Sequence, residues 1–329
     1  MTWAGARVLV TGAGGFLGSH LVEALAAEGA RVRAFIRYTS RGDLGLLACL
    51  PPERLEAIEI ARGDLKDSAA VLQAMDGCEI VFHLGAMISI PYSYLHPREV
   101  VETNVLGTLN VLEGARRTRP RRLIHASSSE VYGTAQTVPM TEQHPLRAQS
   151  PYAASKIGAD KLAESYHRSF DVPVTTVRPF NTYGPRQSAR AVVPTIILQA
   201  LTGEEIRLGS LHPRRDFTFA RDTVHGFLLA ASSERSVGRE LHLGSDHEVS
   251  IAELAQKILG LMGRAVPIVS DEGRVRPAAS EVERLRADPA LARELLGWRP
   301  RVSLDDGLRE TIAWVEQHHA RYPAEAYSV

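Results

Sequence analysis

A run of glycines directly after a short apolar segment is the feature that most constrains the fold of this chain. The segment Arg7–Thr11 is β-branched and apolar, as in a strand buried on both faces. Glycines follow at once, and a helical pattern of apolar residues continues to Gly29. This spacing permits a tight turn, close approach of a pyrophosphate and close packing of helix on strand. It predicts a dinucleotide site whose cofactor-binding residues include Gly12, Gly15, Phe16, Leu17 and Gly18.

Strands and helices alternate through the first half of the chain. After Arg7–Thr11, strands are predicted at Arg31–Arg37, 58–63, 79–84, 123–126 and 174–178. Helical spacing separates them, for example at 69–75 and 100–116. Such alternation predicts an α/β fold, a doubly wound parallel sheet of the Rossmann type with a second, smaller α/β substrate domain.

After Pro179 the predicted helices and strands become shorter and the loops between them more frequent. Helices are predicted at 193–202, Ile251–Met262, 287–296 and Leu304–Gln317, and short strands at Ile206–Leu208 and around Thr218. Residues 240–244 resemble a return to the main sheet. We therefore expect residues 1–179 and 216–245 to form the dinucleotide-binding domain, and 180–215 and 246–329 the substrate-binding domain.

The composition narrows the possible partners. Lys plus Arg and Asp plus Glu both total 38, so no net charge favours nucleic acid or a membrane surface. No apolar run reaches the ~18 residues that a membrane helix needs. The two cysteines, Cys49 and Cys78, lack the spacing of a metal or redox site. With no secretory leader at the N-terminus, we expect a cytoplasmic protein that binds no metal, nucleic acid or membrane.

A pair of residues at the start of a predicted helix is the candidate acid–base centre. Ser150 is placed to cap this helix and Pro151 to occupy its first position. Tyr152 and Lys156, four residues apart, then share one helical face. The ammonium and the helix N-terminus both favour the phenolate form of the tyrosine. Tyr152 is thus a candidate general base for an alcohol proton.

The end of the second strand should meet the adenosine ribose of the cofactor. An acidic residue there would favour NAD, but the sequence has Arg37, with Arg41 shortly after. A guanidinium suits a 2′-phosphate, so NADP is predicted, with NAD as the alternative. Asp64, after the third strand, is a candidate for the adenine amino group, or else a cap for the following helix.

The order of motifs along nearly the whole chain resembles the extended short-chain dehydrogenase/reductase family, most of whose members act on nucleotide-activated sugars. The matching elements are Gly12-x-x-Gly15-x-x-Gly18, Gly63-Asp64, His83-Leu-Gly-Ala86, Asn104, Ser127-Ser-Ser-Glu130-Val-Tyr-Gly, Tyr152-x-x-x-Lys156, Arg178-Pro-Phe-Asn181-x-Tyr-Gly-Pro185, Arg215-Asp-Phe, Arg276-Pro and Leu296-Gly-Trp298.

The resemblance implies a role for most of the candidate residues. Ser128 would bind the hydroxyl at C4 of the sugar, Tyr152 would take its proton, and Lys156 would bind the nicotinamide ribose and lower the tyrosine pKa. The remaining cofactor contacts would come from Leu65, Leu84, Ala86 and Asn104, and contacts to the nucleotide diphosphate from Asn181, Arg215 and Arg276. The resemblance also implies a homodimer formed through helices 100–116 and 152–170.

The loop of residues 87–94, after the fourth strand, should border the hexose. Its hydroxyl side chains Ser89, Tyr92 and Ser93 are candidate substrate contacts, together with Ser129, although the aromatic residues could simply pack. His83 and His125 precede the site on buried strands, and we expect both to be structural rather than catalytic.

Glu130 is the residue that best discriminates between the reactions that such an enzyme could catalyse. A 4-epimerase has no need of a carboxylate here, whereas a 4,6-dehydratase needs a group that takes the C5 proton and protonates the oxygen leaving C6. Ser128-Ser129-Glu130 resembles the Thr-Ser-Glu of GDP-mannose 4,6-dehydratases, and the whole chain resembles dehydratases of nucleotide-activated N-acetylglucosamine. We therefore predict a nucleotide-sugar 4,6-dehydratase. A 4-epimerase and a UDP-glucuronate decarboxylase, which also has Ser-Glu in this loop, remain alternatives.

Overall fold

A seven-stranded parallel sheet forms the centre of the protein in the computed structural model, which describes residues 2–322. Residues 323–329, the end of the predicted substrate domain, lie outside this part. Across the sheet the strands follow the order β11-β6-β5-β4-β1-β2-β3, which confirms the predicted α/β class. They are β1 (Arg7–Thr11), β2 (Arg31–Arg37), β3 (Glu59–Gly63), β4 (Ile80–His83), β5 (Arg122–Ala126), β6 (Val174–Pro179) and β11 (Glu240–Leu243).

Twelve α-helices occur among the described residues. They are α1 (Phe16–Ala27), α2 (Pro52–Glu56), α3 (Ser68–Met75), α4 (Ile90–Leu95), α5 (Pro97–Val101), α6 (Gly107–Thr118), α7 (Pro151–Phe170), α8 (Val192–Thr202), α9 (Ala220–Ser232), α10 (Ile251–Met262), α11 (Ala290–Leu296) and α12 (Leu304–Gln317). In residues 2–322, none of the helices combines the length and apolar character that crossing a bilayer requires.

The side chains of β1 show why this strand has to be apolar on both sides. Val8 and Val10 enter a core with residues of α1 and α9, whereas Leu9 enters a second core with residues of α3, α6 and α7. All three side chains are completely buried, since successive residues of a strand point to opposite faces. Helices therefore cover both faces of the sheet, as a doubly wound arrangement requires.

The C-terminal segments build another core beside the sheet. Helices α8, α10 and α12 pack together through residues such as Ile196, Leu254 and Leu308. Three pairs of short strands accompany them: β7 (Thr182–Tyr183) with β10 (Thr218–Phe219), β8 (Ile206–Leu208) with β13 (Ile268–Ser270), and β9 (Arg214–Arg215) with β12 (Val249–Ser250). The assignment of two domains stays a prediction.

The structure corrects two of the predicted helices. Residues 100–116 are not one α-helix, because a π-helical turn, Glu102–Leu106, separates α5 from α6. The helix predicted from residue 287 begins at Ala290 instead. Ala287 forms a bridge with Met140, and its N–H donates to the Asp216 carboxylate, so these backbone groups are already engaged outside the helix.

The glycine turn brings the end of β1 against the end of β4. A Cβ atom on Gly12 would lie 2.7 Å from the backbone nitrogen of Gly85, and the φ angle of Gly12 is +67°. A Cβ on Gly18 would lie 2.1 Å from the carbonyl oxygen of Gly12. Both positions therefore require glycine, one for backbone conformation and close approach, the other so that α1 can start against the turn.

Substitution of Gly18 by alanine tests this packing. We expect Gly18→Ala to lower the free energy of unfolding by about 1–3 kcal/mol, because the added methyl forces α1 away from the turn. Gly260→Ala in α10 is the matched control: a Cβ there meets nothing within 4 Å. It should raise stability by about 0.5–1 kcal/mol through helix propensity. Urea-unfolding midpoints of both variants measure the difference, and equal effects would contradict the packing argument.

Candidate active site

Helix α7 begins as the sequence predicts. Ser150 is its N-cap and accepts a hydrogen bond from the backbone N–H of Ala153 at 3.1 Å, while Pro151 occupies the first turn. The cap sets the rotation of the helix, and Tyr152 and Lys156 both turn inward, with only 6% and 3% of their surface exposed. The candidate base and its cation are thus taken out of water together.

The ammonium group of Lys156 is held by the end of strand β5. Its Nζ donates to the carbonyl oxygen of Ala126 at 2.7 Å. Burial lowers the pKa of Lys156 to about 8, although the charge of Asp160 acts in the opposite direction. Lys156 therefore exchanges its proton near neutral pH, unlike an exposed lysine.

The phenol of Tyr152 responds mainly to burial. Burial raises the pKa of Tyr152 to about 12; the neighbouring Ser128 hydroxyl lowers it, and the charges of Glu130 and Asp160 raise it further. The predicted lowering of this pKa by Lys156 stays a prediction; in the protein alone the Lys156 ammonium donates to the carbonyl of Ala126. The phenol is neutral at rest, and ionising it requires additional positive charge beside it.

Ser128 lies at the point where β5 ends and a short 3-10 turn, Ser129–Tyr132, begins. Its hydroxyl oxygen accepts from the N–H of Glu130 at 3.2 Å and also influences the Tyr152 phenol. Ser129 is buried, with 3% of its surface exposed. The structure thus brings Ser128 and Tyr152 together, as predicted, whereas Ser129 faces away from solvent.

The carboxylate of Glu130 has no partner among the described residues. Within residues 2–322 it makes no hydrogen bond and no ion pair, and the side chain is only partly buried. Its negative charge acts on two groups of the site: it raises the pKa of Tyr152, and it opposes the lowering by burial of the pKa of Arg215. The charge of Glu130 therefore reaches both the candidate base and one of the candidate phosphate ligands.

The two arginines predicted to bind phosphate, Arg215 and Arg276, both lie beside the carboxylate of Glu281, which was not among the predicted site residues. Nη2 of Arg215 lies 3.4 Å from Oε1 of Glu281, and Nη1 of Arg276 lies 3.7 Å from the same oxygen. Arg215 is 7% exposed, and burial lowers its pKa. Asn181 lies beside this pair, since its Nδ2 donates to the carbonyl of Asp216, the residue after Arg215. A pattern signal for Glu281 existed, since it follows Arg276-Pro by a short spacing.

The turn after β1 fits a dinucleotide. Helix α1 has Gly15 as its N-cap with no side-chain cap, so the N–H groups of Phe16 and Leu17 in its first turn are available to an anion. The close contact of Gly12 with Gly85 leaves no room for side chains where a pyrophosphate would approach. Leu84 and Ala86 flank this contact and Leu65 packs against it, while their contact with a cofactor stays a prediction.

Charged residues at the adenosine end are loosely paired. The side chain of Arg37 is 64% exposed, with Nε 4.0 Å from the Asp64 carboxylate and Nη2 3.8 Å from that of Glu99. Arg41 is also exposed. The alternative role of Asp64 as a helix cap is wrong: Asp67 caps α3, while Asp64 accepts from the N–H of Lys66. Arg37 is therefore free to rearrange around a ligand.

The loop after β4 uses its hydroxyl groups largely within the protein. Ser89 caps α4, the Tyr92 hydroxyl donates to Glu99 at 2.6 Å, and Ser93, completely buried, donates to the carbonyl of Ile90. Substrate contacts by these residues stay predictions, and for Ser93 they would require α4 to move. The structure does not bring Ser93 into the cleft.

Asn104, in the π-helical turn, clamps the same loop. Its Oδ1 accepts from the N–H of Met87 at 2.7 Å, and its Nδ2 donates to the Met87 carbonyl and to Ser155. The side chain is 1% exposed, so its predicted contact with the cofactor remains untested while its positioning of the loop is evident. A π-turn at a site of this kind is common.

The predicted structural histidines are both buried. His83 contacts the hydroxyls of Thr11 and Thr108, and His125 bonds the carboxylate of Asp160. Asp160 was missed by sequence reasoning, together with its bond to Arg178 on β6 and with Glu240 on β11, which accepts from the same guanidinium. The spacing of Asp160, four residues after Lys156 on the same helical face, was the available signal.

Comparison with known proteins finds sugar-nucleotide enzymes that match nearly the whole chain. Residues 9–311 match the family model described as GDP-mannose 4,6 dehydratase. A UDP-glucose 4-epimerase of Mycolicibacterium smegmatis is 34% identical, over 93% of this chain and 97% of its own. A dTDP-glucose 4,6-dehydratase of Actinoplanes sp. is 31% identical, over 94% and 97%. The solved structure of a double mutant of the dTDP-glucose 4,6-dehydratase DesIV from Streptomyces venezuelae, with NAD bound, has a TM-score of 0.87 and 30% identity, covering 96% of this chain and 98% of its own.

The acid–base role of Tyr152 is open to direct test. Tyr152→Phe removes the phenolic oxygen without changing the packing of the ring, so we expect at least roughly a 100-fold loss in the rate of alcohol oxidation with cofactor affinity retained. Tyr166→Phe is the matched control on the same helix, since its hydroxyl bonds Glu113 instead. Oxidation is followed in single turnovers as the transient absorbance of reduced nicotinamide, and equal rates in the two variants would refute the assignment.

Proposed function

Because the chain belongs to the GDP-mannose 4,6-dehydratase family, we propose that it is a nucleotide-sugar 4,6-dehydratase. The substrate is a nucleoside-diphosphate hexose or N-acetylhexosamine, and the product is its 4-keto-6-deoxy derivative. The observation that carries the proposal is the unpaired carboxylate of Glu130, whose charge acts on both Tyr152 and Arg215. A carboxylate left unpaired beside an acid–base relay is available for proton transfer.

The first step is removal of hydrogen from C4 of the sugar. Ser128 hydrogen-bonds the C4 hydroxyl, and Tyr152 takes its proton with Lys156 supplying positive charge nearby. A nicotinamide dinucleotide, when bound, accepts the C4 hydride and later returns it. Since burial keeps the Tyr152 phenol protonated in the protein alone, its ionisation depends on that charge and on the Ser128 hydroxyl.

Glu130 then performs the elimination. The 4-keto group acidifies the C5–H bond, and the carboxylate takes that proton. The same proton joins the hydroxide departing from C6, so that water leaves and Glu130 is again ionised. The hydride removed from C4 would be delivered to C6, and the proton that Tyr152 took from the C4 hydroxyl balances the proton added at C5, so the net loss is one water and no external reductant is consumed.

The diphosphate of the substrate is assigned to Arg215, Arg276 and Asn181. Two guanidinium groups match a ligand that carries about two negative charges. Glu281 holds both arginines through one oxygen, 3.4 and 3.7 Å from their nearest nitrogens. This pairing keeps Arg215 in place although it is buried, so the phosphate site is preformed.

The 4-epimerase is the second candidate, favoured by the 34% identity to the Mycolicibacterium smegmatis enzyme. It would use Ser128, Tyr152 and Lys156 in the same way but would have no task for Glu130. A decarboxylase would need a cation facing the C6 carboxylate of its substrate. The mass of the product separates all three reactions.

A substrate panel with the Glu130→Gln variant is the decisive experiment. GDP- and UDP-linked N-acetylglucosamine, mannose, glucose and glucuronate are incubated with the enzyme, and the products are read by mass spectrometry. We expect loss of one water with at least one hexose or N-acetylhexosamine substrate. Glu130→Gln should stop this loss, by at least roughly 100-fold, while C4 oxidation and cofactor binding persist.

Glu283→Gln provides the matched control, since Glu283 is half-exposed and pairs with His212 at the surface. It should turn over as the wild type does. Undiminished loss of water by Glu130→Gln would remove the role of the carboxylate, and a new sugar of unchanged mass would identify a 4-epimerase. Loss of carbon dioxide would identify a decarboxylase.

For the cofactor we propose NADP, with NAD as the alternative found in the Streptomyces venezuelae structure. The proposal rests on Arg37 at the end of β2, which is 64% exposed and held only by pairs of 3.8 and 4.0 Å. A 2′-phosphate would be a better partner for it than either carboxylate. Arg41, exposed nearby, would add to the positive potential.

Substitution of Arg37 checks the cofactor preference. We expect Arg37→Ala to weaken NADP⁺ binding by roughly tenfold or more, because a charge-assisted hydrogen bond is lost, and to leave NAD⁺ binding nearly unchanged. Arg31→Ala, at the opposite end of the same strand, is the control and should affect neither. Calorimetric titration supplies the affinities. A wild type that binds NAD⁺ more tightly, with no response to Arg37→Ala, would establish NAD.

We also propose a homodimer through the helices that carry the site. Val101, Leu106 and Phe170, on α5, the π-turn and α7, are exposed by 42%, 48% and 49% in the single chain. Apolar side chains exposed on neighbouring helices favour burial against a second copy. The proposed interface lies on the outer side of the helix that bears Tyr152 and Lys156.

A further inference from the structure

Asp160 is a carboxylate buried completely beneath the Tyr152–Lys156 pair. It lies on α7, one helical turn beyond Lys156 and two beyond Tyr152, on the same face. Four hydrogen bonds reach its two oxygens, from Nε2 of His125, the Ser127 hydroxyl, and Nε and Nη2 of Arg178, at 2.7–3.1 Å. Three of these bonds reach Oδ2 and one reaches Oδ1, so both oxygens of the carboxylate are engaged.

The partners of Asp160 on strand β5 flank the residue that holds Lys156. His125 and Ser127 precede and follow Ala126, whose carbonyl oxygen accepts from Nζ of Lys156 at 2.7 Å. Ser128, the predicted ligand of the C4 hydroxyl, is the next residue. By binding both neighbours of Ala126, Asp160 ties the end of β5 to α7, and thus fixes Ser128 and Lys156 relative to each other.

Asp160 also supplies the negative charge that Lys156 experiences. Burial disfavours the ammonium form of Lys156, and the charge of Asp160 opposes that effect. Although burial raises the pKa of Asp160, its bonds to His125 and the charges of Arg178 and Lys156 lower it to about 2, so the carboxylate is ionised. His83, on β4, faces both His125 and Lys156 and is neutral because it is buried.

We propose that Asp160 is a positioning residue of the active site, which places a fixed negative charge one helical turn from Lys156 and holds Ser128 in place through His125 and Ser127. This inference rests on the proposed function only through the relay of Ser128, Tyr152 and Lys156, which dehydratase and epimerase chemistry share. Glu240 binds Arg178 from the opposite side without contacting Lys156, so it serves as the matched carboxylate that lacks this role.

The protonation of Lys156 can be measured without any substrate. The chain has four lysines, Lys66, Lys156, Lys161 and Lys257, so the ¹³Cε chemical shifts of lysine-labelled protein can be assigned with Lys156→Met. We expect Asp160→Asn to lower the measured pKa of Lys156 by about one unit or more, since a nearby opposite charge is removed. Glu240→Gln, which also deprives Arg178 of a carboxylate, should leave it unchanged. An unchanged pKa in Asp160→Asn overturns the proposal, as does an equal decrease in Glu240→Gln.

The positioning of Ser128 is tested with Ser127→Ala, which keeps the charge of Asp160 and its bond to His125 but removes the bond next to Ser128. We expect the rate of nicotinamide reduction to fall roughly tenfold, because misplacement of the reacting groups lowers the rate. The measured pKa of Lys156 should change little. If Asp160→Asn does not fold, Ser127→Ala alone tests the proposal. A wild-type rate of nicotinamide reduction in Ser127→Ala overturns it. If the wild type oxidises no sugar nucleotide, the proposed function fails, while the lysine measurement still tests Asp160.

Discussion

The removal of an acid–base pair from water is the constraint on which the rest of the structure depends. Tyr152 and Lys156 are both nearly inaccessible, and burial shifts both groups toward their neutral forms. Charged forms can then exist only where fixed charges and dipoles replace the solvent. Asp160 beneath Lys156 is one such charge, and it is itself stabilised by donors from two strands. The parallel sheet supplies these strands side by side.

The carboxylates around the cleft divide into two kinds. Asp160 and Glu281 are held by cations and hydrogen bonds, and their effect is to orient their partners. Glu130 alone among these three is left without a partner within residues 2–322, although it lies close enough to influence Tyr152 and Arg215. A carboxylate without a cation beside it can take up and release a proton, whereas one held by cations stays ionised, so the pattern of pairing separates Glu130 from the other two.

Local patterns in the sequence predicted much of the fold and failed where distant segments meet. Apolar runs identified the sheet strands, and Ser150 and Pro151 identified the start of α7, because these signals are short-range. The start of α11 at Ala290 was missed, since residue 287 is engaged by Met140 and Asp216 from elsewhere in the chain. The high pKa of Tyr152 was missed for the same reason: it depends on tertiary burial. The Asp160 network likewise joins three separate segments.

The π-helical turn, Glu102–Leu106, has a consequence for the helix that follows it. One surplus residue in a helical turn rotates everything downstream by about 100°. Within the turn Asn104 binds the loop at Met87, whereas downstream Gly107 and Gly114 face Leu65 and Met75. A regular rod could not present both sets at once. The extra residue therefore rotates α6 relative to α5. One continuous stretch of chain can then position the loop of the candidate cleft at one end and pack closely beside the sheet at the other.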